Sequence, residues 1–188
     1  MTNTASTPSV RDEQFMRRAL GTALQARLIS RPNPWVGAVV VAADGSTYEG
    51  CTSAVGGPHA EIHALRRAGE AARASTLYTT LEPCSHTGRT GPCTQAIIDA
   101  GVQRVVVGIV DPDPKVAGTG LDALRAAGIE VELGVLAGQV HSQLLPYIHH
   151  RTTGMPFVVL KMASTIDGRI AATDGSSKWI TGETARKR

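Results

Sequence analysis

Between residues 36 and 151, short β-branched runs alternate with stretches of helical periodicity, and that alternation leaves few architectures open. Residues 36–41 are an apolar run rich in valine, Asp44-Gly45 supplies a turn, and residues 47–49 can return as a second strand. The pattern then predicts a helix from 59 to 72, a strand over 76–81, a helix over 94–100 ended by Gly101, and a buried strand over 104–110. A helix over 121–127 ended by Gly128, a strand over 129–133 and a last helix over 135–151 complete the series. Ahead of it, Phe15, Ala19, Leu20, Ala23 and Leu24 recur at helical spacing within residues 10–28, and Pro32 and Pro34 break that helix. Such an order predicts a three-layer α/β/α sandwich, a sheet flanked by helices on both faces.

Residues 1–9 are polar and rich in Ser and Thr, without the charged start and apolar block of a signal peptide, and are expected to form a disordered leader. Residues 10–150 are expected to form one domain, 152–156 a linker and 157–162 the start of a new strand, with Asp167-Gly168 as a turn. No run of about 18 apolar residues is present, so no membrane span is expected. The net charge is only +3 and aromatics are 4%, which disfavours a nucleic-acid polymer and leaves room for a phosphorylated small molecule. Three cysteines cannot all pair, and two flank a Gly/Pro-rich loop, so a reduced cytoplasmic chain with a metal site fits better than a disulfide framework.

The residues that carry chemistry are His59-Ala60-Glu61, Pro83-Cys84 and Pro92-Cys93. Zinc takes four tetrahedral ligands and accepts imidazole and thiolate. His59, Cys84 and Cys93 would supply three and leave the fourth corner to water, which is the arrangement of a catalytic site. Water held there deprotonates near neutral pH. Glu61 lies two positions after His59, too close to be a comfortable ligand, and is expected to shuttle protons from the water to the substrate. If Cys93 caps the next helix, the free N–H groups there favour its thiolate. Zinc deaminases combine His-x-Glu with a later Pro-Cys-x-x-Cys. Here eight residues separate the two cysteines. Two unrelated buried cysteines and a surface histidine are the plain alternative.

Three further segments narrow the choice: Pro32-Asn33-Pro34-Trp35-Val36-Gly37, Ser85-His86-Thr87-Gly88-Arg89-Thr90 between the cysteines, and Asp111-Pro112-Asp113-Pro114-Lys115-Val116-Ala117-Gly118. Together with Gly57-Pro58-His59-Ala60-Glu61 and Thr80-Leu81-Glu82-Pro83-Cys84, they closely resemble the pyrimidine deaminase domain of riboflavin biosynthesis over residues 10–150. The resemblance implies a cytidine deaminase-like α/β/α fold with a central mixed sheet, one zinc per chain, and a substrate that is a 2,5-diaminopyrimidinone bearing a phosphoribosylamino group. It implies that Asn33 helps hold the ring, and that Thr52, His86, Arg89, Thr90 and Lys115 contact the ring or the ribose phosphate. For Asn33 a turn residue between prolines, and for the basic residues solvated surface charge, are the plain alternatives. A homo-oligomer is implied by the same resemblance.

The sequence departs from that family at Thr52, where many members carry the histidine of a Gly-x-His, and at Gly91, where a proline is common. Residues 158–180, with Lys161, Asp167-Gly168-Arg169 and Ser177-Lys178-Trp179, resemble the opening of the NADPH-using reductase usually fused to these deaminases. Residues 151–188 are therefore expected to be a linker and an incomplete reductase-like segment, with no use of NADPH. Other readings are a related deaminase acting on another aminated heterocycle, a nucleic-acid base deaminase, and a zinc-stabilised scaffold without turnover. Cys51, His63, His149 and His150 are expected to have local roles only.

Overall fold

The computed structural model describes residues 9–86, 91–114, 116–179 and 181–187. The expected leader, apart from Ser9, lies outside them. The chain divides into two units, residues 1–156 and 157–188.

The first unit is built on five strands: β1 (Gly37–Val41), β2 (Thr47–Cys51), β3 (Thr76–Leu81), β4 (Arg104–Ile109) and β5 (Glu130–Leu133). Their order across the sheet is β2-β1-β3-β4-β5. β1 runs antiparallel to both β2 and β3, while β3–β4 and β4–β5 are parallel, so the sheet is mixed as expected. The central strands β3 and β4 are buried along nearly their whole length, and β4 accordingly carries a continuous apolar run, Val105 to Val107, rather than an alternating pattern.

Five helices cover the two faces: α1 (Val10–Ala23), α2 (Ala60–Ala68), α3 (Cys93–Asp99), α4 (Thr119–Ala126) and α5 (Ala137–Thr153). Strand register sorts them. Val39 pairs with Tyr78 and Tyr78 with Val106, so Gly37, Tyr78 and Gly108 share one face. On that face Gly37 meets the backbone of Ala19 in α1, and Gly108 meets Val140 in α5. The opposite face carries Ala38 and its partner Gly50, and there α2 packs. A Cβ on Gly50 would stand 2.2 Å from the carbonyl oxygen of Ala60, so only glycine lets the start of α2 lie this close to β2. That close approach fixes the turn of helix from which His59 and Glu61 project.

α1 is tied to the sheet by a buried polar cluster. Ser9 caps the helix and its hydroxyl donates to Asp12 Oδ2 at 2.8 Å. Asp12 also receives Arg104 Nη1 at 2.7 Å and the Tyr78 hydroxyl at 2.8 Å. Burial opposes charge on Asp12, but these donors outweigh it and bring its pKa down to about 2. A carboxyl whose folded pKa lies below its unfolded value adds stability above the unfolded pKa and loses it as pH falls toward the folded one. The gap in unfolding free energy between the wild type and Asp12→Asn will therefore be about 2 kcal/mol larger at pH 6 than at pH 2. Urea titrations at the two pH values check this, and an unchanged gap refutes it.

Several boundaries differ from expectation. The α-helix expected to reach residue 28 ends at Ala23 and tightens into a 3₁₀ turn, Leu24–Ala26. The helix expected to reach residue 72 ends at Ala68, with Gly69–Ala72 as a 3₁₀ turn.

The second unit corrects a larger expectation: residues 157–162 form no strand. Val158, Val159 and Leu160 carry a strand-like side-chain pattern, yet each is at least 75% exposed. A strand is defined by a ladder partner, and none is present among the described residues. The turn at Asp167-Gly168 does form, closed by a Gly168 N–H bond to the Thr165 carbonyl. A short helix, α6 (Glu183–Arg186), was not foreseen.

Candidate active site

The site lies at the carboxyl ends of β3 and β4, where parallel α/β sheets place their ligands. His59 is the N-cap of α2, held in extended backbone conformation, and Glu61 occupies the first turn of that helix. Cys84 follows the end of β3, and Cys93 is the first residue of α3. These two helix starts meet there and bring together residues far apart in the chain.

The His59 Nδ1 atom stands 3.2 Å from Cys93 Sγ and 3.6 Å from Cys84 Sγ, and all three donor atoms lie within 4.8 Å of one another. Ordinary zinc–sulfur and zinc–nitrogen bonds in a tetrahedron put neighbouring donors about 3.6 Å apart. The set can therefore hold one zinc with little movement, and its chemistry, one imidazole and two sulfurs, suits that ion. Among the described residues it is the one such group of three or more. The Cys93 backbone N–H donates to Cys84 Sγ at 3.4 Å, a contact that favours a thiolate.

Charge is unevenly shared in this cluster. Hydrogen bonds from the Cys93 thiol, with those from His59 and the Cys93 N–H, hold the Cys84 thiol down at about 4 despite burial. The bond to Cys84 raises His59 to about 8, and the same neighbouring sulfur together with burial pushes the Cys93 thiol up. Glu61 is 3% exposed, and its burial pushes it up to about 7. Its carboxylate accepts a weak bond from Cys93 Sγ at 3.8 Å and stands outside the group of three donors.

A cavity of about 370 Å³ opens on the cluster and is lined by Asn33, Thr52, His59, Glu61, Cys84 and His86. Six of the residues singled out by sequence thus line one cavity. Cys93 is fully buried behind them. Arg89, Thr90 and Lys115 lie outside the described residues. Thr52 lines the cavity, but its hydroxyl is committed to the backbone: it accepts from the Val36 N–H at 3.0 Å and donates to the Val36 carbonyl at 3.4 Å. It extends the β1–β2 ladder and supports the segment that carries Asn33.

Sequence reasoning missed Glu82, Asp111, Asp113, Tyr147 and Arg151, all of which line the same cavity. The Tyr147 hydroxyl donates to the Asp111 carboxylate at 3.0 Å, and burial raises the Asp111 pKa. The Arg151 guanidinium lies 5.6 Å over the Tyr147 ring and pairs with Asp113 at 3.5 Å. Tyr147 and Arg151 sit one turn apart on α5, an i, i+4 spacing that pairs them with each other but carries no signal that places them at this cavity. His63 has the local role expected of it, with Nε2 bonded to the Ser53 hydroxyl at 2.6 Å.

Residues 9–109 match the family model for the cytidine and deoxycytidylate deaminase zinc-binding region, and residues 156–188 match the RibD C-terminal domain. The riboflavin biosynthesis protein RibD of Escherichia coli is 46% identical over 178 residues, which are 95% of this chain and 48% of that protein. The structure of Acinetobacter baumannii RibD superposes with a TM-score of 0.83 at 46% identity, covering 94% of this chain and 49% of the other. The Thermotoga maritima diaminohydroxyphosphoribosylaminopyrimidine deaminase/5-amino-6-(5-phosphoribosylamino)uracil reductase gives a TM-score of 0.86 at 44% identity, over 94% of this chain and 51% of that one. The chain spans about half the length of the curated relatives it matches. No helix among the described residues is long and apolar enough to cross a membrane. The mixed sheet between two helical layers is the fold shared with these structures, and the zinc-region match spans more than half of the chain: this protein belongs to the cytidine and deoxycytidylate deaminase zinc-binding family.

Proposed function

We propose that the chain is a zinc-dependent hydrolase that deaminates a 2,5-diaminopyrimidinone bearing a phosphoribosylamino group, in riboflavin biosynthesis, with release of ammonia. The observation that carries this reading is a buried carboxylate, Glu61, beside a zinc-competent triad inside one cavity, in a chain 46% identical to RibD.

His59, Cys84 and Cys93 would hold the metal. When bound, zinc supplies Lewis acidity that activates water for attack on the ring carbon bearing the amino group. Glu61 takes the proton released by the water and delivers it to the ring nitrogen, then assists the second transfer to the departing amine. The carbon–nitrogen bond breaks, a carbonyl forms, and water plus substrate become the pyrimidinedione and ammonia. Asn33 orients the ring from the cavity wall. His86 and Arg151 face the charged ribose phosphate, with Arg89, Thr90 and Lys115 assigned to the same end by resemblance. The domain division of this reading is a deaminase over residues 10–150, whose last helix α5 runs on through Arg151 to Thr153, followed by a linker and reductase-like segment to residue 188. A homo-oligomeric state and a cytoplasmic location complete the reading.

The test is ammonia release from that phosphoribosylaminopyrimidine by the zinc-loaded chain, with cytidine, deoxycytidylate and tRNA in parallel. Turnover of the first alone is expected. No release from it, with one zinc per chain present, rejects the substrate assignment.

A further inference from the structure

A buried acid at the cavity wall has no part in the chemistry above. Glu82 is 4% exposed and follows β3 directly, two residues before Cys84. Its Oε2 accepts the N–H of Asp111 at 3.1 Å and of Gly118 at 3.0 Å. Its Oε1 accepts the N–H of Gly120 at 2.8 Å and, more weakly, of Leu121 at 3.4 Å. All four donors are backbone amides. A carboxyl group is costly to bury unless hydrogen bonds replace its water, and Glu82 accepts such bonds on both oxygens.

The surrounding backbone is shaped to it. Gly118 adopts φ +85°, and a Cβ on Gly120 would stand 2.0 Å from the Pro83 carbonyl and 3.1 Å from Glu82 Oε1. Glycine at these positions lets the loop wrap the carboxylate. The Glu82 backbone N–H is itself fixed to the Ile109 carbonyl at 3.0 Å, continuing the β3–β4 ladder. The side chain thus ties the carboxyl end of β3 to Asp111, to Gly118 and to the start of α4.

Asp111, Asp113 and Val116 of the segment after β4 line the cavity. Once its N–H is held by Glu82, Asp111 accepts the Tyr147 hydroxyl and the Asp113 N–H, and Tyr147 stacks beneath Arg151. The metal-side contacts run separately: the Cys93 N–H binds Cys84 Sγ, and the Thr94 N–H binds the Cys84 carbonyl. Two independent sets of bonds therefore leave the same short segment, one toward the zinc cluster and one toward the Asp111 wall.

We infer that Glu82 is a positioning residue for substrate binding: it fixes the Asp111–Tyr147–Arg151 wall through backbone amides and leaves the metal and the proton transfer to other residues. The inference rests on the deaminase reading above for its kinetic readout, and on structure alone for its second readout.

Glu82→Gln keeps the shape but turns an amide NH₂ toward N–H donors. In the zinc-loaded full chain it is expected to keep one zinc, to raise KM by ~10-fold or more and to change kcat by no more than about threefold. Amide exchange at Asp111, Gly118 and Gly120 is expected to quicken. Tyr147→Phe, which removes only the hydroxyl bonded to Asp111, is expected to raise KM in the same direction by a smaller factor, and it serves if Glu82→Gln does not fold. A fall in kcat at unchanged KM would make Glu82 a participant in the chemistry and overturn the inference. A drop in melting temperature with both kinetic constants unchanged would reduce it to fold support and overturn it equally. If the wild type turns over no phosphoribosylaminopyrimidine, the deaminase reading fails. The exchange measurement then decides the positioning role by itself, and unchanged protection at the three amides refutes it.

Discussion

Glu61→Gln protein will carry one zinc per chain and release ammonia ~10²–10⁴-fold more slowly than the wild type, the range that a positioned proton-transfer group supplies. Glutamine has the size and hydrogen-bonding reach of glutamate but cannot take up a proton. Glu61 is outside the three-atom donor group, so its replacement removes no metal ligand. Its one contact within the cluster, the 3.8 Å bond from Cys93 Sγ, is weak enough that losing it leaves Cys93 in place. A buried carboxylate replaced by a neutral amide also loses a desolvation cost, so the folded state does not suffer. Metal analysis and ammonia release on the same sample check both halves. Turnover within about tenfold of the wild type removes Glu61 from the reaction. Loss of zinc assigns it a coordinating role instead.

The legible part of this molecule was the part written in local chemistry. Val39, Val106 and their neighbours announced strands because β-branched residues suit a sheet buried on both faces. His59 could be placed at a helix start and Cys93 beside one because helical periodicity begins there; α3 opens on Cys93 itself, with Pro92 as its N-cap. What sequence could not give was the second half of the cavity. Tyr147 and Arg151 read as ordinary helix residues, since nothing local says that the end of α5 returns to β4. Nothing in the sequence assigns Glu82 a role, because its partners are backbone amides between 29 and 39 positions away that carry no side-chain signature. Thr52 was read as a shortened substrate contact, whereas its hydroxyl is held by Val36. At residues 157–162 local propensity gave the wrong answer, because a strand depends on a partner that propensity does not specify.

Cys93→Ala will bind no zinc and release no ammonia above background, while Cys51→Ala will do both as the wild type does. The two cysteines separate packing from coordination. Cys51 sits in β2 opposite Gly37, part-buried and away from the donor group. Cys93 is fully buried, with Sγ 3.2 Å from His59 Nδ1 and with its own N–H on Cys84 Sγ. Alanine leaves that N–H and the start of α3 intact, so the helix and Cys84 stay in place and only one donor atom is lost. Two remaining protein ligands hold zinc far less tightly than three, because each further preorganised donor binds without a fresh entropic cost. Loss of the metal also shows as stability. Free zinc a thousandfold above its dissociation constant stabilises a folded site by about 4 kcal/mol, so added zinc will raise the melting temperature of the wild type and of Cys51→Ala but not of Cys93→Ala. A Cys93→Ala protein that still binds zinc and is still stabilised by it would mean that the metal is held elsewhere, and the assignment of Glu61 as its neighbour would fall as well.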